Sequence, residues 1–175
     1  GMADEIKPAI APRELAASPT LSLVHKQVET LRGRKVGVLI SDGFDRALVE
    51  QLTAALTQEH AAVELVAPKI GGARSADGQL RVADHIIGGG PSVIFDAVAV
   101  MPGAASVNAL IDEPAAIDWV SDAYNHCKVI GMVADAQPLL IAGRVQADDG
   151  VVDLAGGVAG FIAAAKRGRV WSREK

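Results

Sequence analysis

The stretch from Val129 to Val133 is apolar or glycine at every position and shows no alternation, and it runs straight into Ala134-Asp135-Ala136-Gln137-Pro138-Leu139-Leu140. A short apolar run without a polar face reads as a buried strand, and a proline followed by leucines reads as the first turn of a helix. The chain is thereby constrained to a buried strand that breaks sharply into a helix. Turns of this kind are where many α/β enzymes place a nucleophile, because the corner lifts one side chain clear of the sheet and beside the backbone NH groups of the helix start. Asp135 stands at this corner, where such enzymes carry Cys or Ser.

The rest of the chain repeats this grammar. Residues 1–33 are punctuated by Pro8, Pro12 and Pro19 and show no sustained period, so they read as an extended arm or linker, with Leu21 to Val24 available to pack on a neighbour. The folded domain is expected over 34–175. Val36 to Ile40 is the first strand, ending at Ser41-Asp42-Gly43. A helix from about Asp45 to Gln58 follows, with Leu48, Leu52, Ala55 and Leu56 on one face, then a second strand from Ala62 to Ala67. Strand, helix, strand implies a right-handed parallel crossover. Between Lys69 and Ile94 the periodicity fails and glycines punctuate the chain, so a hairpin-like excursion is expected, with Leu80 to Val82 at most a short edge strand.

Asp96 to Met101 is the third strand. Helices are expected over Val107 to Asp112 and Pro114 to His126, the latter with Ile117, Val120, Ala123 and Tyr124 as its buried stripe. Lys128 to Val133 is the fourth strand. One or two small strands at Gly143-Arg144-Val145 and Gly150 to Leu154, and a helix from Gly157 to Lys166, complete the pattern. Alternating strands and helices predict a flavodoxin-like three-layer α/β sandwich with a mostly parallel sheet.

Composition supports that class. Half of the 175 residues are hydrophobic but only 3% are aromatic, so the core must be built from Ala, Val, Ile and Leu, which suits a parallel sheet under small-residue helices. A net charge of -4 gives no electrostatic case for nucleic acid or an anionic membrane. The Lys166-Arg167-Gly168-Arg169 run with Arg173 reads as a solvated C-terminal end. No stretch approaches the roughly 20 apolar residues of a membrane span. The N-terminus lacks the order of a signal peptide, Gly1 before Met2 reads as a remnant of tag removal, and a cytoplasmic protein is expected. The lone Cys127 excludes an internal disulfide and is expected to be buried and inert. His25, His60, His85 and His126 lack metal-ligand spacing, so no metal and no cofactor is expected in this chain. Gly88-Gly89-Gly90-Pro91 lacks the Lys-Ser/Thr of a phosphate-binding loop and reads as a turn.

In a parallel sheet, ligands and catalytic groups gather at the carboxyl ends of the strands. The candidates there are Asp42 and Asp45 after the first strand, the Pro102-Gly103-Ala104 turn after the third, and Asp135 after the fourth. Asp is a poor acyl-transfer nucleophile, and its charge repels the oxyanion such turns stabilise. A capping role for Asp135, accepting from NH groups of the following helix, is expected instead.

Phe44-Asp45, Phe95-Asp96-Ala97 through Pro102-Gly103, and Val129 through Pro138 resemble the PfpI/ThiJ group of the class I glutamine amidotransferase-like superfamily. That resemblance implies an acid after strand one, a Pro-Gly-Gly turn and a Cys-x-Gly-Pro elbow. Aligned on Pro138, it puts Asp135 at the nucleophile position, Ala136 at a position often held by His, Gln137 at the elbow Gly, Ala104 at the second Gly of the turn and Asp45 near the tuning acid. A narrower resemblance covers the whole chain. Ala73 to Asp77, Ala97 to Gly103, Asp122-Ala123-Tyr124 and the Val170-Trp171-Ser172-Arg173 tail look like the C-terminal domain of large-subunit haem catalases with part of the preceding linker. The resemblance implies a non-catalytic accessory domain with a degenerate elbow, contributing stability and assembly, with a chaperone-like component, beside a haem domain and in homo-oligomer contacts. Haem would belong to the parent protein: a catalase haem needs an axial Tyr, in that family with Arg one helical turn before it, and Tyr124 has Val120 there. The alternatives are a free-standing PfpI/ThiJ-type peptidase, amidase or glyoxalase-like enzyme, and a small-molecule binding module using the strand-end crevice.

Overall fold

In a computed structural model of the chain, residues 9–11, 13, 15–16, 18–22 and 28–174 are described. The elements run β1 (Lys35–Ile40), α1 (Arg46–Gln58), β2 (Ala62–Ala67), β3 (Ala73–Arg74), β4 (Leu80–Arg81), β5 (His85–Ile86), β6 (Ala97–Met101), α2 (Val107–Ile111), α3 (Pro114–Asn125), β7 (Ile130–Met132), α4 (Gln137–Ala142), β8 (Val151–Asp153) and α5 (Ala159–Arg167). Six strands form one parallel sheet in the order β5-β2-β1-β6-β7-β8, and β3 pairs with β4 as a separate antiparallel hairpin.

The side-chain parity of each strand divides the core in two. Val36, Val38 and Ile40 of β1 and Ala97, Ala99 and Met101 of β6 face α1 and α5, packing with Val49, Leu52, Leu56 and Phe161. Leu39, Val66, Val98, Val100 and Ile130 face α2, α3 and α4, packing with Leu110, Trp119, Val120, Leu139 and Leu140. Both faces are therefore buried, as the unbroken apolar runs require. The result is the expected three-layer flavodoxin-like α/β sandwich. Gly131 in β7 is part of the fit, since a Cβ there would stand 2.9 Å from the Phe161 ring.

Several expectations shift in detail. The fourth strand is shorter than Lys128 to Val133, and a 3-10 turn, Ala134–Ala136, separates it from α4, with Pro138 in the first helical turn. Within α3 the buried residues are Ala116, Trp119, Val120 and Ala123, with Ile117 and Tyr124 only half-buried. The stripe is rotated because the Trp119 indole turns inward and donates to Gly90 O at 2.9 Å. The excursion between Lys69 and Ile94 contains the β3–β4 hairpin but also gives the main sheet its edge strand, β5, too short to show a period.

Gly143-Arg144-Val145 is not a strand. It closes α4: Arg144 adopts φ 56°, its NH bonds Ile141 O, and Val145 NH reaches back to Leu140 O. The same closure ends α1 at His60 (φ 61°) and α3 at Cys127 (φ 56°), a Schellman motif built each time on a non-glycine residue.

The C-terminal end keeps Arg167, Trp171 and Ser172 exposed, as expected of a solvated end, but is tied to the fold at several points. Val170 NH bonds Cys127 O at 2.7 Å, Lys166 pairs with Glu59 at 2.6 Å, and Arg169 donates to His126 O. Arg173 is nearly fully buried, forks onto both oxygens of Asp148 at 2.6 and 2.8 Å, donates to Lys128 O at 2.7 Å and lies 4.2 Å from the centre of the Tyr124 ring. Of the N-terminal arm, Ile10, Leu15 and Leu21 are exposed, whereas Leu31 is buried in the α1/α5 layer. Pro8, Pro12, Leu23, Val24 and His25 lie outside the described residues.

Candidate active-site crevice at the strand ends

The helix after β1 covers one face of the sheet and the helices after β6 cover the other, so the chain diverges between these neighbouring strands and leaves a crevice at their carboxyl ends. Its volume is about 780 Å³. The floor is apolar, from Met101, Val133 and Leu154, and the rim carries Asp45, Arg46, Asp77 and Asp135.

The two turns that frame the crevice press together. The Asp42 and Gly43 backbone lies so close to Gly103 that a Cβ there would fall 2.2 Å from Asp42 O, so only glycine fits. Ser106 Oγ donates to Asp42 O at 2.6 Å, and Asp42 Oδ1 accepts Arg74 NH at 2.8 Å, pinning the first turn to the hairpin. Asp42 is thus committed to the scaffold and does not line the crevice, and Ala104 is exposed outside it.

Asp45 and Asp135, 90 positions apart in the chain, both line the same cavity. Asp45 is the N-cap of α1, with Oδ1 accepting Leu48 NH at 3.1 Å. Asp135 does not cap α4. The N-cap is Ala136, and Asp135 sits inside the 3-10 turn, exposed and without a side-chain hydrogen bond among the described residues. The inserted turn is the physical reason: a capping side chain needs an extended backbone just before the helix, and here that conformation belongs to Val133. Ala136 is buried against the α3/α4 layer and takes no part in the cavity.

Sequence reasoning did not find Arg46, Gln51 and Asp77 as crevice residues. Arg46 Nε and a terminal nitrogen hold Asp77 at 2.9 and 2.8 Å, and its other terminal nitrogen holds Glu50 at 3.0 Å. The Arg46 guanidinium, with a further hydrogen bond from Ser75 Oγ, holds the Asp77 carboxyl down to about 2, and the two acids raise Arg46 in turn. Glu50, four residues on, was the only sequence signal for Arg46 as an ion-paired residue; the Asp77 contact needs the hairpin fold.

Among the described residues no Cys, Ser or His lines this cavity. Cys127 is buried before the start of β7, at the end of the strand opposite the crevice. Among the described residues no group of three or more His, Cys, Asp or Glu is placed to hold a metal, and no helix is long and apolar enough to cross a membrane. Tyr124 does not fit a haem iron, since its ring is covered by the Arg173 guanidinium and Val120 occupies the preceding turn.

Residues 32–175 match the model of the C-terminal domain found in long catalases. The chain is 43% identical over 171 residues to Catalase C of Rhizobium meliloti, covering 95% of this chain and 24% of that protein. It is 35% identical over 162 residues to Catalase HPII of Pseudomonas aeruginosa, covering 90% of this chain and 23% of the relative. It therefore spans about a quarter of the length of the curated relatives it matches. Among solved structures, a two-domain protein with DJ-1/ThiJ/PfpI-like and ferritin-like domains from Anabaena variabilis superposes with a TM-score of 0.59 at 20% identity, over 66% of this chain and 35% of that one. With the family model matched over residues 32–175 and 43% identity along 95% of the chain, this chain belongs to the family of C-terminal domains found in long catalases.

Proposed function

We propose that this chain is a non-catalytic accessory domain of a long catalase, working through contacts that stabilise and assemble the parent protein, with a chaperone-like component. The family match over residues 32–175 carries the reading. The resemblance to the PfpI/ThiJ pattern, which would put Asp135 at the nucleophile position and Ala136 at that of a frequent His, supports it, as do the use of Asp45 as a helix cap and a cavity lined, among the described residues, by no thiol or imidazole. On this reading the hydrogen peroxide chemistry and the haem belong to a catalytic domain outside this chain, and its partners are that domain and further copies of the parent. Residues 1–33 act as the linker to it and 34–175 as the PfpI-like domain, with Leu31 anchoring the junction, a division supported by the exposure of Ile10, Leu15 and Leu21. A cytoplasmic setting is part of the proposal, supported by the single buried cysteine.

The test is made in the source cells and on the parent protein. An antibody against this chain should detect a much longer polypeptide whose purified form has a haem Soret band. Removing this domain from that polypeptide should lower its thermal inactivation temperature and disturb its oligomeric state while peroxide consumption per haem persists. A haem-free chain of about this length with peptidase, amidase or glyoxalase activity would replace the proposal with the free-standing enzyme.

A further inference from the structure

We propose that the strand-end crevice binds a small amphipathic cation, an alkyl- or arylammonium whose apolar body lies on Met101, Val133 and Leu154 while its charge meets Asp135. This ligand site is separate from the accessory role and holds whether or not the parent assembles through this domain.

The cavity, at about 780 Å³, falls within the roughly 300–1,000 Å³ typical of small-molecule sites, and it has their usual build of apolar floor and few convergent polar groups. The bonding state of its rim selects the ligand charge. Among the described residues Arg46 is the one cation in the lining, and its guanidinium is spent on Asp77 and Glu50. Asp77 is likewise committed, to Arg46 and Ser75. Asp45 lines the crevice and accepts Leu48 NH through Oδ1. Asp135 has no hydrogen-bonding partner among the described residues. The uncompensated charge facing a ligand is therefore negative. Among the described residues, an anion meets Asp135 without a free guanidinium to offset it, and a metal ion lacks a converging set of donors. A monocation with an apolar body satisfies both the floor and the rim.

The probes are n-hexylammonium, hexanol and hexanoate, titrated into this 175-residue chain and followed by the backbone amide NMR signals of Gly43, Leu48, Asp135 and Ala155. The expected result is saturable shifts at these amides, with hexylammonium binding about two- to fivefold more tightly than hexanol, as an exposed ion pair provides, and hexanoate more weakly than hexanol. The advantage should narrow in high salt. Asp135→Asn keeps the shape of an exposed side chain that makes no hydrogen bond among the described residues, so it should leave the fold intact and abolish the preference for ammonium. Shifts scattered away from the crevice, equal binding of the three probes, or a preference that survives Asp135→Asn would each overturn the proposal.

Discussion

At the scale of single residues, two aspartates that line one crevice do different physical work. Asp45 holds the extended conformation of an N-cap (φ -77°, ψ 104°) and satisfies an otherwise orphan NH of α1. Replacing Asp45 by Ala should cost about 0.5–2 kcal/mol in denaturant unfolding, whereas Asp135→Ala should leave the melting temperature unchanged because no bond to the described residues is lost. Equal losses for both would show that Asp135 has a partner after all. Lys128 is the opposite case, a charge that folding disfavours. It is fully buried, donating to Ser92 O. Burial first, and then the nearby Arg169, lower its pKa to about 8, with Asp96 and Asp122 opposing. Its folded value lies below its unfolded value of 10.5, so the unfolded chain binds more protons between these limits and stability should rise with pH across that window. Unfolding measured from pH 7 to 10 should show wild type gaining on Lys128→Met as the pH increases; parallel curves would mean that Lys128 is hydrated in solution.

At the scale of elements, helix endings govern how the chain turns back to the sheet. Three helices close with His60, Cys127 and Arg144 at positive φ, a conformation that costs an L-residue roughly 1–2 kcal/mol and a glycine much less. His60 is exposed, so His60→Gly should stabilise the domain by about 0.5–1 kcal/mol after allowing for the larger entropy of glycine in the unfolded chain. A loss of stability in thermal unfolding would mean that the imidazole makes a contact of greater worth. These closures also explain why Gly143-Arg144-Val145 misled as a strand. The glycine occupies the C-cap and Arg144 the left-handed position, the reverse of the usual signature. The β1, α1 and β2 unit, by contrast, was legible nearly to the residue, because apolar runs and a helical period are local properties.

At the scale of the whole molecule, the C-terminal segment closes the fold. Arg173 joins Asp148 before β8, the Lys128 carbonyl before β7 and the Tyr124 ring at the end of α3. Arg173→Ala should cost about 2–4 kcal/mol, because it leaves a partly buried carboxylate without its cation. The Arg173 hydrogen bonds, followed by the Gly150 NH, hold Asp148 below its ordinary value. Its stabilising contribution is therefore complete above the usual carboxylate range and fades as the pH falls through the depressed value. The advantage of wild type over Arg173→Ala, read by urea unfolding, should be full at pH 7 and shrink toward pH 2; an advantage independent of pH would assign the effect to packing on Tyr124. The layer architecture and the parallel sheet follow from the sequence alone, because runs such as Val36–Ile40 and Ala97–Met101 have no face that tolerates water. Asp45 and Asp135 were also visible there as strand-end acids. Only the tertiary structure decided what each carboxylate does, that Arg46 is consumed by Asp77, and that a basic-looking tail clasps the fold through a nearly buried Arg173 side chain. Burial on both faces is written in local composition, whereas the partner of a charged side chain is set by which distant turns the folded sheet brings together.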